Sequence, residues 1–373
     1  MKYKALKDVC QITMGQSPES TSYNDTKEGI PFFQGNADFG EKYPTERVWC
    51  NEPKKIAQPE DILISVRAPI GALNYAKSEC CIGRGLAAIT VPDMATRNYI
   101  FHLLKAKNIE LNRKGTGSTF KAISKSVLEE VQVPIISENE QQKIVKIMDL
   151  LEDIIRKRKD ELRSLDKLIR ARFVEMFGDP VENEMEWKTS SLNSLCDGIG
   201  DGLHGTPEYD DNGGYPFING NNLIDGKIIV TDTTKHIGQS EYERLYIPIS
   251  TNAILISING TLGKLAFYNG EKISLGKSAC YCNLKSSVNK LFVYSLMKSN
   301  AFIGFLEKSA TKSTIKNVGL KALREYKVIL PPMKLQNQFA DFVQQADKSK
   351  VAIQKSLDEV QLLFDSLMQK YFG

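Results

Sequence analysis

The chain repeats itself, and this restricts its fold more than any other feature of the 373 residues. Gly117-Ser118-Thr119-Phe120-Lys121 matches Lys312-Ser313-Thr314-Ile315-Lys316, and a leucine follows eight residues after Phe120 and after Ile315, at Leu128 and Leu323. Val131-Gln132-Val133-Pro134 is answered by Tyr326-Lys327-Val328-Ile329-Leu330-Pro331, and each half closes a long helical pattern on Phe-Gly, at Phe177-Gly178 and Phe372-Gly373. Earlier segments agree more loosely. Ile30-Pro31-Phe32-Phe33-Gln34-Gly35-Asn36 pairs with Tyr215-Pro216-Phe217-Ile218-Asn219-Gly220-Asn221, and Asp61-Ile62-Leu63-Ile64-Ser65 with Ala253-Ile254-Leu255-Ile256-Ser257. The offset grows along the chain. One unit is therefore present twice, with its framework kept and its loops changed in length.

The helical segments carry the second constraint. Ile144, Met148, Leu151, Ile155, Arg158, Leu162, Leu165, Ile169, Arg172 and Met176 recur at alternating steps of four and three. Phe339, Val343, Ala346, Lys350, Ile353, Leu357, Val360, Phe364, Leu367 and Tyr371 do the same in the second half. That spacing is a heptad seam. A helix from Glu138 to Phe177 would be about 60 Å long, and one apolar stripe of that length needs a partner. The other seam of the chain is the obvious one. The pairing is antiparallel if each helix leaves one domain and ends near the other. Arg158, Arg172 and Lys350 interrupt the seams; either their stems lie along them with the charges snorkelling out, or they set register or contact a partner subunit. The run Arg156-Lys157-Arg158-Lys159 is flanked by Glu152, Asp153, Asp160 and Glu161, which favours a solvated face over a phosphate site.

The regions 1–136 and 179–333 read differently. Short β-rich runs such as Ile62-Leu63-Ile64-Ser65-Val66 and Ile254-Leu255-Ile256-Ser257-Ile258 alternate with Gly-, Pro-, Asn- and Asp-rich turns, with helices expected at 99–108 and 291–307. The expected fold class is α+β: two tandem domains, 1–136 and 179–333, and two long antiparallel coiled-coil helices, 137–178 and 334–373, in a pseudo-two-fold repeat. No apolar run approaches a membrane span, and Met1-Lys2-Tyr3-Lys4-Ala5-Leu6-Lys7-Asp8 has no apolar signal core, so a cytoplasmic protein without a membrane partner is expected. Cys10, Cys50, Cys80, Cys81, Cys196, Cys280 and Cys282 are an odd set without paired zinc spacings, which predicts reduced structural thiols and no metal site. A net charge of +4 permits nucleic-acid binding without pointing to it.

The motifs of catalysis are missing. The one Pro-Pro, Pro331-Pro332, lies between Leu330 and Met333, so a methyltransferase loop of the Asn/Asp-Pro-Pro-aromatic type is absent. Pro92-Asp93 is not followed in its domain by the Glu-x-Lys of a common Mg²⁺-dependent nuclease, and no phosphate-binding G-x-x-x-x-G-K-[ST] loop occurs. Gly83-Arg84-Gly85 is too short for a nucleotide fingerprint and reads as a tight turn. His102 sits in an apolar helical stretch, as a core residue rather than a base. His204, in Leu203-His204-Gly205-Thr206-Pro207, sits in an exposed turn where DNA contact is conceivable. No catalytic residue is assigned.

The chain as a whole resembles the specificity (S) subunit of Type I restriction–modification systems. The resemblance rests on Gly115-Thr116-Gly117-Ser118-Thr119 through Val133-Pro134, on Glu140-Gln141-Gln142-Lys143-Ile144, and on Arg172-Phe173-Val174-Glu175-Met176-Phe177-Gly178-Asp179-Pro180. The second copy departs from it, with Leu335-Gln336-Asn337-Gln338-Phe339 in place of Glu140 to Ile144. The resemblance implies two target-recognition domains, each reading one half of a gapped, asymmetric site in double-stranded DNA. It also implies that the helices dock two modification (methyltransferase) subunits, and that restriction (motor-nuclease) subunits can join. S-adenosylmethionine, ATP and Mg²⁺ would then belong to those partners, with no cofactor in this chain.

Sequence is read by side chains on base edges, while phosphate contacts position the protein. The candidate DNA contacts are therefore polar loop residues: Gln16, Ser17, Asn36, Arg67, Lys114, Thr116, Ser118, Thr119 and Lys121 in the first domain, and His204, Thr206, Asn221, Asn222, Asn259, Lys312, Ser313, Thr314 and Lys316 in the second. The matched Ser-Thr-x-Lys positions suit phosphate or framework better, because two different half-sites would not be read by identical side chains. Two rival readings remain at this stage: a non-DNA coiled-coil scaffold, and a restriction protein with its own catalytic site.

Overall fold

In the computed structural model, residues 2–117 and 121–373 are described, and the chain divides into two compact units. One comprises Met1–Asp160 with Gln354–Gly373, the other Glu161–Ile353.

In the first unit Ile62, Leu63 and Ile64 are fully buried, which is why the run is continuously apolar and not alternating. It forms the strand Ile62–Ser65 in a four-stranded antiparallel sheet, ordered Gln11–Met14, Leu86–Thr90, Ile62–Ser65, Leu73–Tyr75. A second sheet contains the parallel pair Ile30–Phe33 and Cys80–Ile82, with Phe32 opposite Cys81 and Phe33 opposite Ile82. The strand Lys2–Ala5 pairs with Gln132–Ile135 and ties the two ends of the domain together.

The second unit builds the same plan. Cys196–Asp201, Ala279–Leu284, Ala253–Ser257 and Leu265–Phe267 form a four-stranded antiparallel sheet in the corresponding order. Tyr215–Ile218 runs parallel to Ser274–Leu275, and Thr189–Ser191 pairs with Lys327–Ile329. The duplication read from the sequence is thus a duplication of topology. All seven cysteines are buried and free, and burial pushes the thiols of Cys10 and Cys80 up to about 12.

The expected shorter helices differ in detail. The first begins earlier, at Met94, because the Asp93 carboxylate caps it by accepting from the Thr96 amide at 2.8 Å, and it ends at Ala106. The segment expected as one helix over 291–307 is two, Lys290–Met297 and Asn300–Ser309. The break lies where the Ser299 hydroxyl caps the second by accepting from the Phe302 amide at 3.3 Å, offering the chain a local alternative to continuing the helix.

The central helix Glu138–Phe177 and the terminal helix Met333–Phe372 are each 40 residues long. Ser137 and Glu140 start the former with a reciprocal capping box. The first unit holds the start of the central helix and the end of the terminal one. Met148, Leu151, Ile155, Leu357 and Phe364 are buried there, Ile144, Val360 and Leu367 are half-buried, and the ring of Phe372 lies 5.2 Å from that of Tyr99. The second unit holds the opposite ends. Phe339 and Val343 are buried there, with Leu162, Leu165, Ile169 and Ile353 half-buried. Phe177 packs against Phe173, Phe292 and Phe339 at centroid distances of 5.1, 5.0 and 5.5 Å. Lys350, on the seam, reaches Asp166 at 2.7 Å, a charge carried out of the apolar stripe on its stem.

Each α+β domain is pinned to a long helix by a glutamine. Gln141 accepts from the Thr96 hydroxyl at 3.1 Å. Gln336, which is buried, accepts from the Asn289 amide at 2.9 Å and donates to the Pro331 carbonyl at 2.8 Å. These are matched positions, so the departure of Leu335-Gln336-Asn337-Gln338-Phe339 from the first copy spares the residue that holds the domain. His102 is a buried residue against the central helix, its Nε2 2.8 Å from the Asp149 carboxylate.

Candidate nucleic-acid interface

Each four-stranded sheet ends in the same turn. After Ile62–Ser65, the Ser65 hydroxyl donates to the Pro69 carbonyl at 2.7 Å and accepts from the Ala72 amide at 2.9 Å, while the Gly71 amide closes on Ser65 at 2.8 Å. After Ala253–Ser257, Ser257 donates to Thr261 at 2.6 Å and accepts from Lys264 at 2.8 Å, and Gly263 closes on Ser257 at 2.9 Å. Gly71 and Gly263 hold φ of 84° and 77°, which a side chain would strain. This turn presents Arg67 in one unit and Asn259 in the other. Each makes an isolated bridge, to Ala122 and Asn317 respectively.

A second loop hangs on that turn. The amides of Thr116 and Ala122 bond each other's carbonyls at 2.9 Å, the Lys121 carbonyl accepts from Ala68 at 3.0 Å, and Ile123 donates to Val66 at 2.9 Å. In the second unit Thr311 donates to Asn317 at 3.0 Å, Lys316 accepts from Gly260 at 2.9 Å, and Val318 donates to Ile258 at 2.9 Å. Lys121 thus sits beside Arg67, and Lys316 beside Asn259. Ser118 and Thr119 lie outside the described residues.

A third loop meets the other side of the turn. The Val66 amide donates to Gly85 at 2.9 Å, and Gln16 to Ile82 at 3.0 Å. Their counterparts are Ile258 to Ser278 at 3.1 Å and Leu203 to Leu275 at 2.8 Å. Ser17 and His204 therefore occupy equivalent places. Ser17 shares hydrogen bonds with Gln34, and the exposed His204 ring lies 2.7 Å from the Asp201 carboxylate.

The structure brings together Gln16, Ser17, Arg67, Thr116 and Lys121 in the first unit, and His204, Asn259 and Lys316 in the second. Lys312, Ser313 and Thr314 are exposed on the loop that ends at Lys316, where Ser313 donates to the Ile315 carbonyl at 2.7 Å. Thr206 and Asn221 are exposed, and Asn36 is half-buried in a short 3-10 turn. Lys114 is exposed and pairs with Glu110 at 2.8 Å. Asn222 faces inward: its Oδ1 accepts from the Asn219 amide at 2.9 Å, and its Nδ2 donates to Ile229 at 2.9 Å and Thr234 at 3.1 Å. An amide with these partners holds a loop closed.

Comparison with known proteins gives this arrangement a family. The model of the Type I restriction modification DNA specificity domain matches residues 1–164 and 184–361. The putative type I restriction enzyme MjaX specificity subunit of Methanocaldococcus jannaschii is 42% identical over 158 residues, which is 42% of this chain and 37% of that protein. The MjaIX specificity subunit of the same organism is 24% identical over 404 aligned positions, spanning 98% of this chain and 91% of its own length. Among solved structures, the S subunit of a Type-I restriction-modification system from M. genitalium superposes with a TM-score of 0.58 at 15% identity, covering 100% of this chain and 96% of that one. That last likeness is one of fold. With both halves matched, the chain belongs to the family of Type I restriction modification DNA specificity domains.

Proposed function

We propose that this chain is the sequence-reading subunit of a DNA-modifying complex, in which each α+β domain reads one half of a gapped, asymmetric site in double-stranded DNA. The observation that carries the reading is the pair of interfaces just described. A matching hydrogen-bonded frame presents Ser17 and Arg67 in one unit but His204 and Asn259 in the other. A scaffold has no use for one frame with two sets of polar tips. A reader of two different half-sites needs that.

In this reading the domains are 1–136 and 179–333, joined by the helices 137–178 and 334–373. The opposite ends of the two helices fall together in each unit, which supports antiparallel pairing through the seam residues. A rigid spacer makes the discrimination of the two readers additive, each base pair contributing about 1–3 kcal/mol. Two modification subunits dock on the helices, and restriction subunits join them. S-adenosylmethionine, ATP and Mg²⁺ act on those partners, and this chain contributes recognition in the cytoplasm. No helix among the described residues is long and apolar enough to cross a membrane.

The test is single-molecule sequencing of adenine methylation in cells expressing this chain with its cognate modification subunit. The expected result is methylation confined to one motif with two specified parts and a fixed unspecified gap. A single ungapped motif, or none with the modification subunit active, would contradict it.

A further inference from the structure

Between Cys80 and Ile89 every residue is buried except Arg84. Between Ile273 and Leu284 the one exposed residue is Lys277. The two are equivalent: Gly83 donates to the Phe33 carbonyl at 2.9 Å just before Arg84, and Gly276 to the Ile218 carbonyl at 2.9 Å just before Lys277. The backbone beneath each is held tightly. A Cβ on Gly83 would come within 3.1 Å of the Gln34 Cα, and next to Lys277 the Ser278 hydroxyl donates to the Asn219 Oδ1 and accepts from the Gly220 amide, both at 2.9 Å. A flexible surface charge needs no such pedestal. Each copy of the duplicated unit therefore lifts one cation, on stiff and otherwise buried backbone, next to the turn that carries Arg67 or Asn259.

We infer that Arg84 and Lys277 are paired phosphate anchors, one for each recognition domain, gripping the DNA backbone beside the half-site. The inference rests on the function proposed above and deepens it. Identical charge at equivalent positions cannot distinguish two different half-sites, but it can seat both domains in the same register on any duplex. The neighbouring tips differ between copies, Ser17 and Arg67 in one and His204 and Asn259 in the other, as the reading of two different half-sites requires. No side-chain ion pair involves Arg84 or Lys277 among the described residues.

The experiment uses the assembled complex of this chain with its modification subunits, bound to a duplex carrying its methylation motif and to a scrambled duplex, across a salt series. Arg84→Gln and Lys277→Gln are each expected to reduce the slope of log K against log salt by about 0.9. The affinity lost between 50 and 200 mM salt then shrinks about 3.5-fold. Both duplexes weaken by the same factor, and the methylated motif keeps its letters. Lys272→Gln, at another exposed lysine of the second unit, leaves the slope unchanged. An unchanged slope in the anchor variants, an equal drop in the Lys272→Gln control, or an altered motif overturns the inference. A wild-type complex that binds neither duplex sinks the proposed function itself, so the two failures are distinguishable.

Discussion

Phe177→Ala is expected to destabilise the second unit by about 3–5 kcal/mol, among the largest costs of any single truncation in the chain. Phe177 is fully buried, and its ring meets those of Phe173, Phe292 and Phe339, so removing it opens a cavity where the central helix, the terminal helix and the helix Lys290–Met297 converge. Denaturant unfolding followed by tryptophan emission in a Trp49→Phe background reports on this region, because the remaining Trp187 indole donates to the Phe177 carbonyl at 3.0 Å. Val174→Ala, three residues away and exposed, is expected to stay within about 0.5 kcal/mol of the parent. A Phe177→Ala cost below about 1 kcal/mol would show that the aromatic cluster does not hold the helices to the domain.

Arg67→Asn is expected to change one base of one half-site and leave the other half intact. Arginine reads guanine through O6 and N7, and asparagine reads adenine through N6 and N7, each pair discriminating by about 1–3 kcal/mol. Arg67 and Asn259 stand on the same serine-braced turn, so under the proposed function the turn would deliver either side chain to an equivalent place on its half-site. The methylated motif of the Arg67→Asn variant should lose its preference at one position, by about 5- to 150-fold for that range of energies, and shift toward adenine. Asn259→Arg should move one position of the other half toward guanine. It also removes the 3.3 Å bond to Asn317, so its affinity should fall as well. Unchanged motifs in both variants would remove these residues from the set of readers.

Much of the frame was legible because it is local. Ile62-Leu63-Ile64-Ser65 and Ala253-Ile254-Leu255-Ile256-Ser257 announce buried strands by composition, and the long helices by their steps of four and three. The parallel pairing of Phe32 with Cys81, and of Phe217 with Ser274, was not legible, because nothing in either segment names a partner some fifty residues away. The same limit hid Arg84. Gly83-Arg84-Gly85 reads as a turn, and a turn it is. Its meaning appears only when backbone bonds align it with Gly276-Lys277-Ser278, a match available in the sequence but too short to stand out there. Asn222 shows the opposite limit: its sequence context is that of a polar loop residue open to a ligand, whereas its amide closes the loop on which it sits.

If two independent readers share this one chain, exchanging one of them changes one half of the methylated motif and leaves the other. Residues 179–333 are replaced by the corresponding domain of another family member, the chimera is expressed with the modification subunit, and adenine methylation is mapped by single-molecule sequencing. The predicted result is a gapped motif in which one half changes to that of the donor while the other half is retained. Methylation that ignores the exchange, or that changes in both halves at once, would contradict it.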